Sequence, residues 1–332
     1  MLAILAWGAL AGMVGVTILM WQAGDRWPVA TILLFIGRWV YLIPIVGIAL
    51  LVRRRNRALL LPTYLALWIA LFPVMGLRTG WRRMLPGPDG PTLRIVSFNT
   101  AASPIVTDSL EALLERWGAD VVALQECSAS LAQRLPAIRG FHAHAVRPLC
   151  LLSRFPIVAA ESMERSSLER VRNEGLAGVG GAGYVVRYVL ETPAGPVGFT
   201  NLHLETARKG LEPLLDGFDL SRLRDNSDLR DIEARRARAW VDGGLVPMIV
   251  AGDFNAPREG RNFADHWGDL RNAFDQVGQG FGYTRYNGWI RVRIDHVLYG
   301  DGLRAVTARV AGDAWSDHRP LIVELRRVRL DP

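Results

Sequence analysis

The first 77 residues hold three apolar stretches, Met1–Met20, Val29–Val52 and Ala58–Leu77, each about as long as a helix needs to cross a bilayer core. A chain that begins this way is expected to carry a bundle of about three transmembrane helices. The first stretch lacks a basic n-region, so it reads as a membrane helix and not as a cleaved signal peptide. Trp7, Trp21, Trp27, Trp39, Trp68 and Trp81 crowd this part, several near span ends, where interfacial anchoring explains them. Arg38 falls inside the second stretch, an expensive place for a charge in lipid; it either snorkels or is paired inside the bundle.

Charge divides the chain. Of 39 basic and 32 acidic residues, nine arginines and one acid, Asp25, lie in the first 85 residues. The rest is close to neutral, so composition gives no support for a domain that grips nucleic acid through clustered positive charge. Arg53, Arg54, Arg55 and Arg57 fill the tight hairpin between the second and third stretches, which assigns that loop to the cytoplasm. With three spans, everything after Leu77 is then extracytoplasmic. Arg78, Arg82 and Arg83 pull the other way, but charge preceding a large domain is less decisive.

Residues 86–92, opening on Pro-Gly-Pro-Asp-Gly-Pro, form a breaker-rich linker between the membrane region (1–85) and a soluble domain (93–328). In that domain Leu93–Phe98, Asp120–Gln125, Leu149–Ser153, Val197–Leu204, Met248–Ala251, Arg293–Tyr299 and Ser316–Leu325 contain strand-like apolar runs. Asp108–Trp117 and Leu220–Val241 have helical spacing. Met163–Gly183, polar and then glycine-rich, is expected to be a surface loop. Cys127 and Cys150 each sit in an apolar run, so small buried hydrophobes are the favoured reading; a disulfide would require adjacent strands and an oxidising compartment.

Asn99, Glu126, His203, Asp253, Asn255, Asp295, Asp317 and His318 all lie at or beside the ends of apolar strands. Strands with polar tips and helices between them predict an α/β sandwich whose tips meet along one rim. Asp253 and Asn255, two apart, would point the same way in an extended backbone. Glu126 beside Asn99 gives an oxygen site suited to Mg²⁺ or Mn²⁺, and an Asp295–His318 contact would fix an imidazole tautomer. His296 is read as structural, because Asp295 beside it points to the opposite face.

Ser97–Asn99 (SFN), Leu124–Glu126 (LQE), Leu151–Ile157 (LLSRFPI), Asn201–His203 (NLH), Gly252–Asn255 (GDFN), Arg293–Asp295 (RID) and Ser316–Pro320 (SDHRP) resemble the ordered motif set of the endonuclease/exonuclease/phosphatase superfamily. The resemblance implies a four-layer, DNase I-like α/β sandwich and a metal-dependent phosphoric ester hydrolase. It implies Glu126 as principal ligand of Mg²⁺ or Mn²⁺, helped by Asn99 and Asp317. His318, oriented by Asp295, would act at the scissile phosphate, Asp253 would position or deprotonate the attacking water, and Asn255 would hold a phosphate oxygen. His203 stands where the sphingomyelinase-like and DNase I-like branches have histidine and is expected among the catalytic and substrate-binding residues. Arg154 is a candidate phosphate contact. The Tyr-x-Pro-Asn motif of the abasic-site endonuclease branch is missing, which argues against DNA repair.

The membrane region and the near-neutral domain together resemble membrane-anchored members of the superfamily, including teicoplanin-resistance-type proteins. They favour a lipid-linked phosphoester at the bilayer surface, a phospholipid or a polyprenyl phosphate or diphosphate. An integral membrane protein of the inner or plasma membrane, its domain outside the cytoplasm, is the expected setting. The alternative is an extracytoplasmic nuclease acting on DNA or RNA, and nucleic acid is the less favoured partner.

Overall fold

The computed structural model describes residues 1–85, 90–103, 107–166, 183–212, 220–245, 247–312 and 315–328. Most of the expected linker and of the expected loop after Met163 lies outside the described residues.

Helix α1 spans Leu2–Ala23, α2 Pro28–Phe35, α3 Leu42–Arg55 and α4 Leu60–Ile69. Two helical runs, Leu2–Ala23 and Arg57–Val74, are long and apolar enough to cross a membrane, and there are three if α2 and the run from Arg38 to Arg55 count as one. That last run corrects the expected continuous span Val29–Val52: the chain turns by 93° at Ile36–Gly37. Arg38 gives the reason. Its guanidinium is buried, donating to the carbonyls of Leu34 and Val74 and to Glu259 of the soluble domain, 2.9 Å away. A straight helix would carry this charge away from Glu259; the break brings it to that carboxylate.

Met13, Ile45, Ala66 and Ala70 pack α1, α3 and the Arg57–Val74 run together, and Met20, Leu34 and Val74 pack α1, α2 and the end of that run where it meets the soluble domain. The exposed arginines 53, 54, 55 and 57 therefore stand at the far end of the bundle, on the turn between α3 and α4.

The soluble domain has two six-stranded sheets face to face. The first contains β1 (Thr92–Asn99), β2 (Val121–Gln125), β3 (His142–Val146), β4 (Leu149–Ser153), β11 (Leu303–Val310) and β12 (Leu321–Arg327), in the order β11-β12-β1-β2-β4-β3. The second contains β5 (Ile157–Ser162), β6 (Tyr184–Thr192), β7 (Gly195–His203), β8 (Met248–Asp253), β9 (Arg271–Asn272) and β10 (Asp295–Tyr299), in the order β9-β10-β8-β7-β6-β5. Helix α5 (Thr107–Trp117) covers the first sheet and α6 (Leu220–Asp242) the second, giving four layers.

Period-two alternation assigns the layers. Ile95, Ala123, Phe199, Ile249 and Val297 fill the space between the sheets, while Val96, Val122, Leu202, Val250 and Leu298 face the helices. Along each inward row the last positions turn polar: Asn99 on β1, Gln125 on β2, His203 on β7 and Asp253 on β8, with Asp295 opening β10 beside Asp253. Two parallel pairs, β1 with β2 and β7 with β8, bring those tips to the same end. Gly252 permits the close approach there, since a Cβ at this position would lie 2.0 Å from the Leu202 carbonyl oxygen.

The cysteines correct the sequence-based expectation. Cys127 and Cys150 form a disulfide with a Cα–Cα separation of 6.0 Å, because the register that sets Leu124 opposite Cys150 brings the residue just beyond β2 alongside β4.

Candidate active site

Asp253 is the hub of the polar rim. Its Oδ2 accepts from Asn99 Nδ2 at 2.9 Å and stands 3.7 Å from both His203 Nε2 and His318 Nε2. Its Oδ1 accepts from the backbone N–H of Asn255 at 2.9 Å. That last bond corrects one detail of the expected strand tip. Asn255 is not extended but left-handed, with φ of 50°, and an Asx turn closed by Asp253 turns the chain at this point. Asn255 Nδ2 then donates to the Leu204 carbonyl at 2.8 Å.

His318 is buried between two carboxylates. Its Nδ1 lies 2.8 Å from Asp295 Oδ2, so Asp295 orients the ring and Nε2 faces Asp253. Burial pulls the imidazole pKa down, but the charges of Asp295 and Asp253 outweigh it and raise it to about 9, so His318 is an imidazolium at neutral pH. Burial pushes Asp295 up, yet the charge and hydrogen bond of His318, with a hydrogen bond from Thr284, hold it below its ordinary value. Asp253 is raised: burial and the Asp295 charge outweigh the pull of His318, His203 and the Asn99 amide.

Glu126 differs from these buried groups. Its side chain is 41% exposed, it follows β2 in a left-handed conformation, and its Oε1 accepts from Asn99 Nδ2 at 3.0 Å and lies 3.8 Å from His203 Nε2. Asp317 is also at the rim, its Oδ2 paired with Arg285 at 2.8 Å. Glu126, His203, Asp253, Asn255, Asp317 and His318 line one cavity of about 280 Å³, with Asn99 and Asp295 directly behind it.

Arg154 is not brought to this cavity, which corrects its expected role. Its backbone N–H bonds to Asp120 at the start of β2, while Glu126 follows the end of that strand. Its guanidinium donates to the Ala119 carbonyl and lies over Phe141. His296 faces the helix layer against Phe254 and Phe263, as its parity requires.

Several participants carry no signal in a single sequence. Gln125 and Asn201 join the two sheets beneath the cavity, Nε2 to Oδ1 at 2.7 Å, and Asn201 also donates to the carbonyls of Leu124 and Cys150. The LQE and NLH motifs contain them without giving them a role. The Thr284 hydroxyl accepts from the backbone N–H groups of Ile294 and Asp295. Arg208, Lys209 and Arg285 also line the cavity wall, each beside a carboxylate.

The exposed Glu126 carboxylate and the Asp317 carboxylate of the same cavity supply the oxygen chemistry of a hard divalent cation; Asn99 turns Nδ2 to Glu126 while its Oδ1 accepts from the Ala101 N–H, so it would join as an oxygen ligand with its amide turned over. Asp253, Asp295 and His318 also bring one ligand atom each to within 4.8 Å of one another. That group could hold a metal ion as well, and the 2.8 Å contact of His318 Nδ1 with Asp295 equally equips it to hold a proton.

The endonuclease/exonuclease/phosphatase family model matches residues 96–318. A search of curated proteins found no match. Among solved structures, a humanized D. rerio TDP2 superposes with a TM-score of 0.53 at 15% identity, covering 71% of this chain and 99% of that one. An endonuclease/exonuclease/phosphatase family protein from Bacteroides thetaiotaomicron gives 0.51 at 15% identity, covering 73% and 100%. One from Beutenbergia cavernae gives 0.50 at 20% identity, covering 71% and 72%. At such identities the likeness establishes the fold, and the family match spans every motif of the cavity. The chain belongs to the endonuclease/exonuclease/phosphatase family.

Proposed function

We propose that this protein is a membrane-anchored, divalent-metal-dependent phosphoesterase that hydrolyses a lipid-linked phosphoester at the membrane surface. The observation that carries the proposal is the direct joining of the apolar helices to the catalytic rim. Asp25, in the turn after α1, forms a buried ion pair with Arg230, and the other Nη of Arg230 donates to the carbonyl of Asn255 at 2.9 Å.

Glu126, with Asn99 and Asp317, would hold Mg²⁺ or Mn²⁺, which when bound supplies Lewis-acid stabilisation of charge on a phosphate oxygen. Asp253, its pKa raised, orients the attacking water and accepts its proton. His318, kept protonated by Asp295, presents an N–H to the oxygen on which charge develops. His203 and Asn255 line the same cavity and hold the phosphoryl group for in-line attack.

Two features support an extracytoplasmic domain. Four exposed arginines mark the far end of the bundle as cytoplasmic. The Cys127–Cys150 disulfide suits an oxidising compartment. Against a nuclease, each cation of the cavity wall is already paired, Arg208 with Glu212, Lys209 with Glu205 and Arg285 with Asp317.

A substrate panel tests the reading. The full-length protein in nanodiscs with Mg²⁺, given lipid phosphodiesters, a polyprenyl diphosphate, single-stranded DNA and RNA, should cleave a lipid ester, and chelator should stop it. Cleavage of nucleic acid with none of any lipid ester would overturn it.

A further inference from the structure

An apolar groove of about 530 Å³ runs beside the catalytic cavity. One wall is helix α2, through Ile32, Phe35 and Ile36; the other is Ala207 and Leu211, which follow β7, with Ile290, Val292 and Ile294 ahead of β10. The groove is not separate from the chemistry. Thr206, Arg208, Asn255 and Arg285 line both spaces, so its polar end is the wall of the catalytic cavity.

We propose that this groove holds the hydrocarbon chain of the substrate, a lipid carrying its phosphoester at the end of a single chain. The assignment rests on the phosphoesterase reading above and adds how the substrate is selected. Three arguments support it. The groove opens onto the cavity at residues that also face the phosphoryl position, the junction a head group and its tail require. Its wall is an apolar helix continuous with the membrane region, and α2 is held against the soluble domain on both sides, by Asp25–Arg230 before it and Arg38–Glu259 after it. And Ile36 and Ile290 remain exposed there, at 39% and 38%, apolar surface that a hydrocarbon chain would remove from water. Among the described residues, this groove shares its walls with the catalytic cavity, which suits one chain per head group.

This explains why the helix breaks at Gly37. Had α2 continued straight into the bilayer, the catalytic domain would lack the second wall. The turn lays α2 across the domain and leaves an apolar route from lipid to rim.

The test uses alkyl p-nitrophenyl phosphodiesters that differ only in the alkyl chain, from ethyl to dodecyl, with the full-length protein and Mg²⁺. For the wild type, kcat/KM should rise by at least about tenfold along the series, as burying a few methylenes requires. In Leu211→Arg and Ile290→Arg the dodecyl-to-ethyl ratio should fall towards one. The ratio is taken within one preparation, so partial misfolding cancels. A dodecyl phosphate bearing a terminal diazirine should crosslink to α2 or to the Ile290–Ile294 segment. Cleavage at one rate whatever the chain, an unchanged ratio in both variants, or crosslinking only elsewhere overturns the groove assignment and leaves the phosphoesterase standing. An equally steep dependence for a two-chain phospholipid analogue overturns the single-chain assignment. If the wild type cleaves none of these esters but does cleave a lipid ester of the panel above, the groove assignment falls and the phosphoesterase stands; if it cleaves neither, both fall.

Discussion

Arg38 and Glu259 form a buried ion pair, Nη1 to Oε2 at 2.9 Å, that joins the break in the N-terminal apolar helices to the loop carrying Asn255. Burial pushes the Glu259 carboxyl pKa up, but the charges of Arg38 and Arg293 outweigh it and hold it low, so the pair is ionised. Removing one partner strands the other charge without water. Glu259→Ala should therefore destabilise the folded protein by about 3–5 kcal/mol, whereas Arg38→Met with Glu259→Met should lose less than the two single changes summed. Chemical denaturation of the full-length protein in detergent checks both.

The disulfide sits one residue beyond Glu126, tying the turn that presents this carboxylate to β4. Cys127→Ser with Cys150→Ser releases a link that closes a loop of 23 residues and should cost about 3 kcal/mol of stability. Mg²⁺-dependent activity should fall more than binding of a soluble phosphoester, because the turn positions Glu126. Thermal melts and steady-state kinetics with and without reductant measure the two effects.

His296 gives a pH dependence with a definite sign. Burial, helped by the Arg293 charge, lowers its pKa from 6.5 to about 4. Its neutral form is fixed by its neighbours: Nε2 lies 3.0 Å from the Ala256 carbonyl and so carries the proton, and Nδ1 accepts from Asn272 Nδ2. Because the folded pKa is depressed, the unfolded chain binds the extra proton first as pH falls. The contribution is present above 6.5 and is lost between 6.5 and about 4. Its size is about 3 kcal/mol at most. The pH-dependent fall of Tm across that window should be shallower in His296→Asn than in wild type.

The strands themselves were legible because unbroken apolar runs such as Leu93–Phe98 and Met248–Ala251 are what burial on both faces demands. The polar tips were legible too, since Asn99, Asp253 and Asp295 interrupt those runs where an apolar residue would otherwise continue. Three things were not. Arg38 shows that an apolar helical stretch can be bent to meet a partner more than 200 residues away, and no local pattern announces Glu259. Arg154 looked like a phosphate ligand beside a strand end, but antiparallel pairing of β4 with β2 sends it to the end opposite Glu126. Cys127 and Cys150 depended on the same register. Each is a fact of strand pairing or long-range contact, to which periodicity along one segment is blind.

In the proposed reaction Glu126, Asp253 and His318 act on a single phosphoester with one divalent cation. The most direct test is the initial rate of lipid phosphodiester hydrolysis by nanodisc-embedded wild type, Glu126→Gln, Asp253→Asn and His318→Gln, each with Mg²⁺ and with chelator. Every variant should lose at least about a hundredfold in kcat, and chelator should abolish wild-type turnover while leaving the melting curve of His318→Gln in place. Wild-type turnover that survives chelation, or a Glu126→Gln enzyme as fast as wild type, would contradict it.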